Sequence, residues 1–280
     1  MTIGIGVLAS EDKKPDHIVL VSDTMGSYED AYSTSELHKG YHFQDVDLYA
    51  VAAGSIDRAS EFMAALHEGF KVLPADRTYG DVVRMAIHCF HGYKLSRFSM
   101  EIGPRLMFTY DQWFQIMDPA FRGSVLQEWT SFDIGFDLVV GSFARNIGSH
   151  GQALLLHVSG QEGKVEPVNF PGVCAIGTGA ENARFWMSYR KHKLSVSVKR
   201  AAYHAYEAKL MAEKSAHVNE RVEMLIARVG THFSLRQDQP SLAGCPVSLP
   251  ELGELYKKYG AQDTTDLDPL DQARKPIYGT

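Results

Sequence analysis

The sequence predicts an α+β protein folded as a four-layer αββα sandwich. Two observations carry this. Strand-like segments come in runs, and helical segments come in pairs between those runs. Strands, two helices, strands, two helices and a final strand describe stacked layers rather than a βαβ array. The apolar fraction of 45% over 280 residues also supplies a sizeable core for one domain of more than 200 residues. Two sheets should therefore face each other, with a helix pair on each outer face.

Ile3 to Ala9 is a short apolar strand, followed by a charged turn from Glu11 to Asp16 that contains Pro15. Ile18 to Ser22 is a second strand, rich in the β-branched residues that suit a pleated surface. Thr24 to Glu36 is polar, and Leu48 to Ala53 is a further strand ending at Gly54. Ala59, Phe62, Met63 and Leu66 recur at helical spacing, with Asp57 as the expected cap. Val82, Val83, Ala86, Ile87 and Phe90 mark a second helix. Strands return at Phe136 to Val140, Ala153 to Val158 and Val173 to Ile176, with Gly160 to Gly163 as a hairpin turn before Val165. Residues 181–190 and 196–214 read as helices, and Val222 to Val229 as the closing strand.

This places one domain over residues 1–230. Residues 231–280 contain five prolines and little periodicity, which predicts an extended tail wrapped on a neighbour. Residues 95–135 are unusually aromatic, with Phe98, Tyr110, Trp113, Phe114, Phe121 and Trp129. Such density is expected either at a subunit interface or lid, or in ordinary packing against the sandwich.

The net charge of −6, with no basic run, argues against nucleic acid as a partner. Three irregularly spaced cysteines, Cys89, Cys174 and Cys245, suggest neither a disulfide framework nor a zinc site. Met1 to Ser10 lacks the pattern of a secretory leader, and no stretch approaches the length of a membrane span. A cytoplasmic protein without metal or cofactor is expected. His88 and His91, near Cys89, read as packed core histidines rather than ligands. Gly177-Thr-Gly179 lacks the third glycine of a dinucleotide loop. Asp263, Asp266, Asp268 and Asp271 lack the glycine and terminal glutamate of a calcium loop.

An ordered set of motifs resembles the proteasome β-subunit family of N-terminal-nucleophile hydrolases. Thr2-Ile-Gly-Ile-Gly-Val7 resembles the opening strand of the mature subunits. Ile18-Val-Leu-Val-Ser-Asp23 resembles their second strand, and Lys39, 16 residues after Asp23, falls where the family carries a lysine. Val51-Ala-Ala-Gly-Ser-Ile-Asp57 resembles the following strand-turn-helix. Phe136 to Gly141, Leu154 to Gly163 and Ala175-Ile-Gly-Thr-Gly179 are similar to its central strand, hairpin and pre-helix turn. The resemblance spans roughly residues 2–229.

It implies an amide-cleaving threonine peptidase with Thr2 as nucleophile once Met1 is removed. A hydroxyl needs an adjacent base, and a free N-terminal threonine carries its own in the α-amino group, whose pKa is about 7.7–8.0. By the resemblance, Lys39 favours the neutral amine, Asp23 holds Lys39, and the backbone at Ala53-Gly54 supplies the oxyanion donor. Thr178 supports the amine, Ser27 lines the substrate groove and Val51 walls the first specificity pocket. Like subunits in a ring or open assembly, a peptide substrate and an unfoldase partner are further implications. Two departures stand out. Alanine replaces the family's usual glycine at residue 53, and Ser215 and Val218 stand where the family often has an aspartate and a serine. A catalytically silent scaffold subunit and a small-molecule amidase of the same fold are the alternatives.

Overall fold

The computed structural model describes residues 3–10, 14–23, 39–106, 112, 119–145, 151–168, 170–213 and 221–259. Among the described residues, ten strands form two five-stranded sheets, and the pairings within both are antiparallel. The first sheet contains β1 (Ile3–Ala9), β2 (His17–Ser22), β8 (Val173–Gly177), β9 (Glu223–Arg228) and β10 (Thr231–Leu235). Its order is β10-β9-β2-β1-β8. The second contains β3 (Gly40–Phe43), β4 (Leu48–Gly54), β5 (Phe136–Ala144), β6 (Gln152–Ser159) and β7 (Lys164–Pro167), in sequential order.

Alternation along the strands divides the apolar residues among three cores. Ile18, Leu20, Tyr49, Val51, Val139 and Leu155 pack between the sheets. Ile5, Val7, Val19, Val21 and Met224 face the other way, onto α4 (Ala180–Tyr189) and α5 (Val198–Ala212). Ala50, Ala52, Leu138, Val140 and Leu156 face α1 (Ile56–Lys71) and α2 (Tyr79–Glu101). This is the four-layer sandwich expected from the sequence. Gly6 permits the close approach of the two sheets, since a Cβ there would lie 2.5 Å from Val139 Cγ1. The α5 helix lies close on β1 and β2 because its buried face is lined with Ala201, Ala202, Ala205, Ala208 and Ala212. Phe62 of α1 stands edge-on to Phe90 of α2 at 5.8 Å and stacks on Phe136 of β5 at 5.7 Å.

Several local expectations are corrected. The α1 cap is Ser55, whose side chain accepts from Arg58 N–H. Asp57 lies inside the first turn, where its charge complements the helix dipole. His88 and His91 are solvent-exposed, because the buried stripe of α2 runs through Val82, Ala86, Phe90, Lys94 and Phe98. The segment from 231 is not an extended tail throughout. β10 pairs with β9 around a turn at Gly230, and α6 (Leu249–Tyr259) packs against α5. Leu249 and Leu252 supply its buried face, and Pro250 sits in its first turn, where a missing N–H costs nothing. Residues 260–280 lie outside the described residues.

In the aromatic-rich segment, α2 runs on to Glu101 and α3 spans Pro119–Ser131. Phe98 meets Trp129 and Phe132 edge-on at 5.3 and 5.5 Å, so part of that density is ordinary packing. Phe121 is exposed, and Tyr110, Trp113 and Phe114 lie outside the described residues. No helix among the described residues is long and apolar enough to cross a membrane.

At the start of α2, Thr78 and Asp81 form a reciprocal capping box. Thr78→Ala should cost about 1 kcal/mol, read as a lower thermal midpoint with an unchanged circular dichroism spectrum.

Candidate active site

Four chain segments end at one edge of the sandwich. Registers continue past the strand ends, so Ile3 lies opposite Asp23 on one side and Gly177 on the other. Thr2 itself and Ser27 lie outside the described residues, as do Ser215 and Val218.

Asp23 organises the described part. It is fully buried, and its Oδ1 accepts from Ile3 N–H at 3.1 Å and from Lys39 Nζ at 2.7 Å. One carboxylate oxygen thus joins the backbone directly after Thr2 to a buried ammonium. Asp23 N–H in turn donates to Ile3 O at 3.3 Å. Lys39 is 1% exposed, and its carbonyl accepts from Ala52 N–H at 3.1 Å, which ties it to β4. Burial pushes the Lys39 pKa below the usual lysine value, and the charge of Asp23 with its hydrogen bond opposes that. A buried cation of lowered pKa is a group suited to proton-transfer chemistry.

Ala53 is buried at the end of β4, and the positive φ of the following turn, +92°, is taken by Gly54. The alanine therefore needs no left-handed conformation. Ser55 N–H caps the turn by donating to Gly135 O at 2.8 Å. Thr178 is exposed between Gly177, with φ +84°, and Gly179, the N-cap of α4. Val51 is 2% exposed and belongs to the inter-sheet core. It also borders a very small cavity with Ser22, Gly40, His42 and Glu223.

Sequence reasoning missed Glu223. It is buried in β9 opposite Ser22, pairs with Arg236 at 3.3 Å, and its carboxylate lies 3.7–3.8 Å from where a Gly40 Cβ would stand. A second buried carboxylate therefore adjoins the Lys39-Gly40 backbone. Its sequence signal was an acid directly before the apolar run Met224 to Ala227.

The fold is the four-layer sandwich of proteasome-like type. The solved structures it resembles agree. Eukaryotic HslV from Trypanosoma brucei matches with a TM-score of 0.52 at 20% identity, over 81% of this chain and 99% of that one. A Gly-1 mutant of Anbu from Hyphomicrobium sp. strain MC1 matches with a TM-score of 0.59 at 11% identity, over 100% and 99%. Anbu, described as an ancestral beta-subunit, from Yersinia bercovieri matches with a TM-score of 0.55 at 13% identity, over 85% and 89%. Neither a protein-family model nor a curated protein sequence matches the chain.

Proposed function

We propose that this chain is a self-assembling N-terminal threonine hydrolase that cleaves amide bonds, with peptides as substrates. The observation that carries the reading is the shared Asp23 oxygen between Ile3 N–H and Lys39 Nζ. It fixes the start of β1 beside a buried cation, the arrangement a terminal nucleophile with its own amine base requires.

In this reading Met1 is removed and Thr2 Oγ attacks the scissile carbonyl carbon. The α-amine takes the hydroxyl proton, directly or through one water, and passes it to the leaving nitrogen as the C–N bond breaks. Lys39 keeps the amine neutral by like-charge repulsion. The backbone N–H at Ala53-Gly54 receives the oxyanion, and Thr178 steadies the amine. Water then cleaves the acyl ester. Ser27 contacts substrate, Val51 being packed between the sheets instead, and like subunits assemble with one another.

The test is intact mass after treatment with a threonine-directed β-lactone. A single adduct on a chain lacking Met1, absent from Thr2→Ala, is the expected result. Retained Met1 with no adduct would overturn the proposal in favour of a silent scaffold.

A further inference from the structure

We infer that the small cavity behind the Asp23–Lys39 pair holds one ordered water, bound by Ser22 and Glu223, and that Ser22 acts through it as a positioning residue for Lys39. The positioning role rests on the hydrolase reading above; the water does not. Ser22 is the last residue of β2 and shares the inter-sheet side of that strand with Ile18 and Leu20 by alternation. It is 0% exposed, and its Oγ has no hydrogen-bond partner among the described residues. A buried hydroxyl left so is destabilising. It lines a cavity of about 10 Å³, the room one water needs.

The lining supplies what such a water binds. Ser22, Ser234 and Glu223, all of the first sheet, border the cavity, and a buried water takes about three polar partners. Glu223 lies opposite Ser22 in the β2–β9 register, and its charge is offset by Arg236 at 3.3 Å. A carboxylate already paired in this way suits a water as guest rather than a metal cation. Among the described residues, no group of three or more His, Cys, Asp or Glu side chains is placed to hold a metal. His42 is the exposed member of the lining, so the mouth opens on the β3 edge.

The place of this water gives it a role. Ser22 directly precedes Asp23, and Gly40, which lines the cavity from the second sheet, directly follows Lys39. Asp23 follows a strand of the first sheet and Lys39 precedes a strand of the second. Their 2.7 Å bond therefore spans the gap between the sheets. The cavity lies in that same gap, one residue away on each strand. Gly40 has no side chain to fill it, and a Cβ there would stand 3.7–3.8 Å from the Glu223 carboxylate. A water held by Ser22 and Glu223 fills the space against the Gly40 backbone. It fixes how closely β3, and Lys39 with it, approaches β2.

The test pairs a crystal structure of the full-length protein with the variant Ser22→Ala. Wild type should show one density peak within about 3.2 Å of both Ser22 Oγ and a Glu223 carboxylate oxygen, with no anomalous signal after thallium(I) replaces sodium. Ser22→Ala should lower the thermal midpoint by about 2–4 °C, because the water loses a partner. A dry cavity gives the opposite sign, since the variant then removes an unpaired buried hydroxyl. The pH profile of β-lactone acylation at Thr2 reads the positioning. A loosened Lys39 repels the α-amine less, so the acylation midpoint of Ser22→Ala should rise toward the value of about 7.7–8.0 of a free terminus. An empty cavity, a thallium peak, a raised thermal midpoint or an unmoved acylation midpoint would each overturn the inference. A wild type that is never acylated overturns the hydrolase reading instead, and the density and the thermal sign still decide the water.

Discussion

Asp23→Asn should reduce acylation of Thr2 by about 10³-fold and cost about 3–5 kcal/mol of stability. Asparagine keeps an Oδ1 that can accept from Ile3 N–H, so the start of β1 retains its anchor and the change isolates the charge. What is lost is the carboxylate 2.7 Å from Lys39 Nζ, at a site where burial already lowers the lysine pKa. Without Asp23 that pKa falls further, and the folded lysine sheds its proton. The unfolded chain still binds that proton up to about pH 10.4. Between the lowered folded pKa and that value, the unfolded state holds more protons, so stability of the variant rises with pH. Denaturant unfolding at pH 6, 8 and 10 reads the effect, with the largest deficit against wild type at pH 6. Lys39→Met added to Asp23→Asn should recover most of the stability, because the buried charge is gone, and none of the acylation. A pH-independent deficit, or full acylation in Asp23→Asn, would remove this pair from the mechanism.

The pair also shows where the sequence was informative. Asp23 and Lys39 are 16 residues apart, and no periodicity brings them together. Only the ordered resemblance over Thr2 to Asp57 did so. The layers, by contrast, were legible from physics alone. β1 occupies Ile3–Ala9 as read, and the two helix pairs follow from apolar spacing. What escaped was at the edges. β3 is a four-residue edge strand whose residues are largely half-buried, and the alternation of Tyr41 and Phe43 about His42 is too short to stand out as a strand. β10 is likewise a half-buried edge, so its pattern is mixed. The apolar spacing of α6 through Leu249, Leu252 and Leu255 was present, but the prolines around it dominated the reading. The role of Gly54 was hidden differently, because Ala53-Gly54 gives no sign of which residue takes the positive φ.

That assignment predicts a sharp contrast between two glycine substitutions. Gly54→Ala places a Cβ 2.5 Å from Gly135 O and 2.9 Å from Phe136 Cα. Both are backbone atoms of the adjoining strand and cannot swing aside. The left-handed φ of +92° adds strain for any residue with a Cβ. Together these should cost about 3–5 kcal/mol, a fall of roughly 8–15 °C in thermal midpoint for a chain of this size. The same shift displaces the N–H groups at Ala53-Gly54, so lactone acylation of Thr2 should slow by about 10²-fold. Gly123→Ala is the counterpart. Gly123 is exposed within α3, and its Cβ would meet nothing within 4 Å. Helix propensity alone should then stabilise the protein by about 0.5–1 kcal/mol, with acylation unchanged. Calorimetry and adduct kinetics on both variants decide the matter. A neutral Gly54→Ala would mean that the β4 turn has slack, and the oxyanion donor would have to be sought outside Ala53-Gly54.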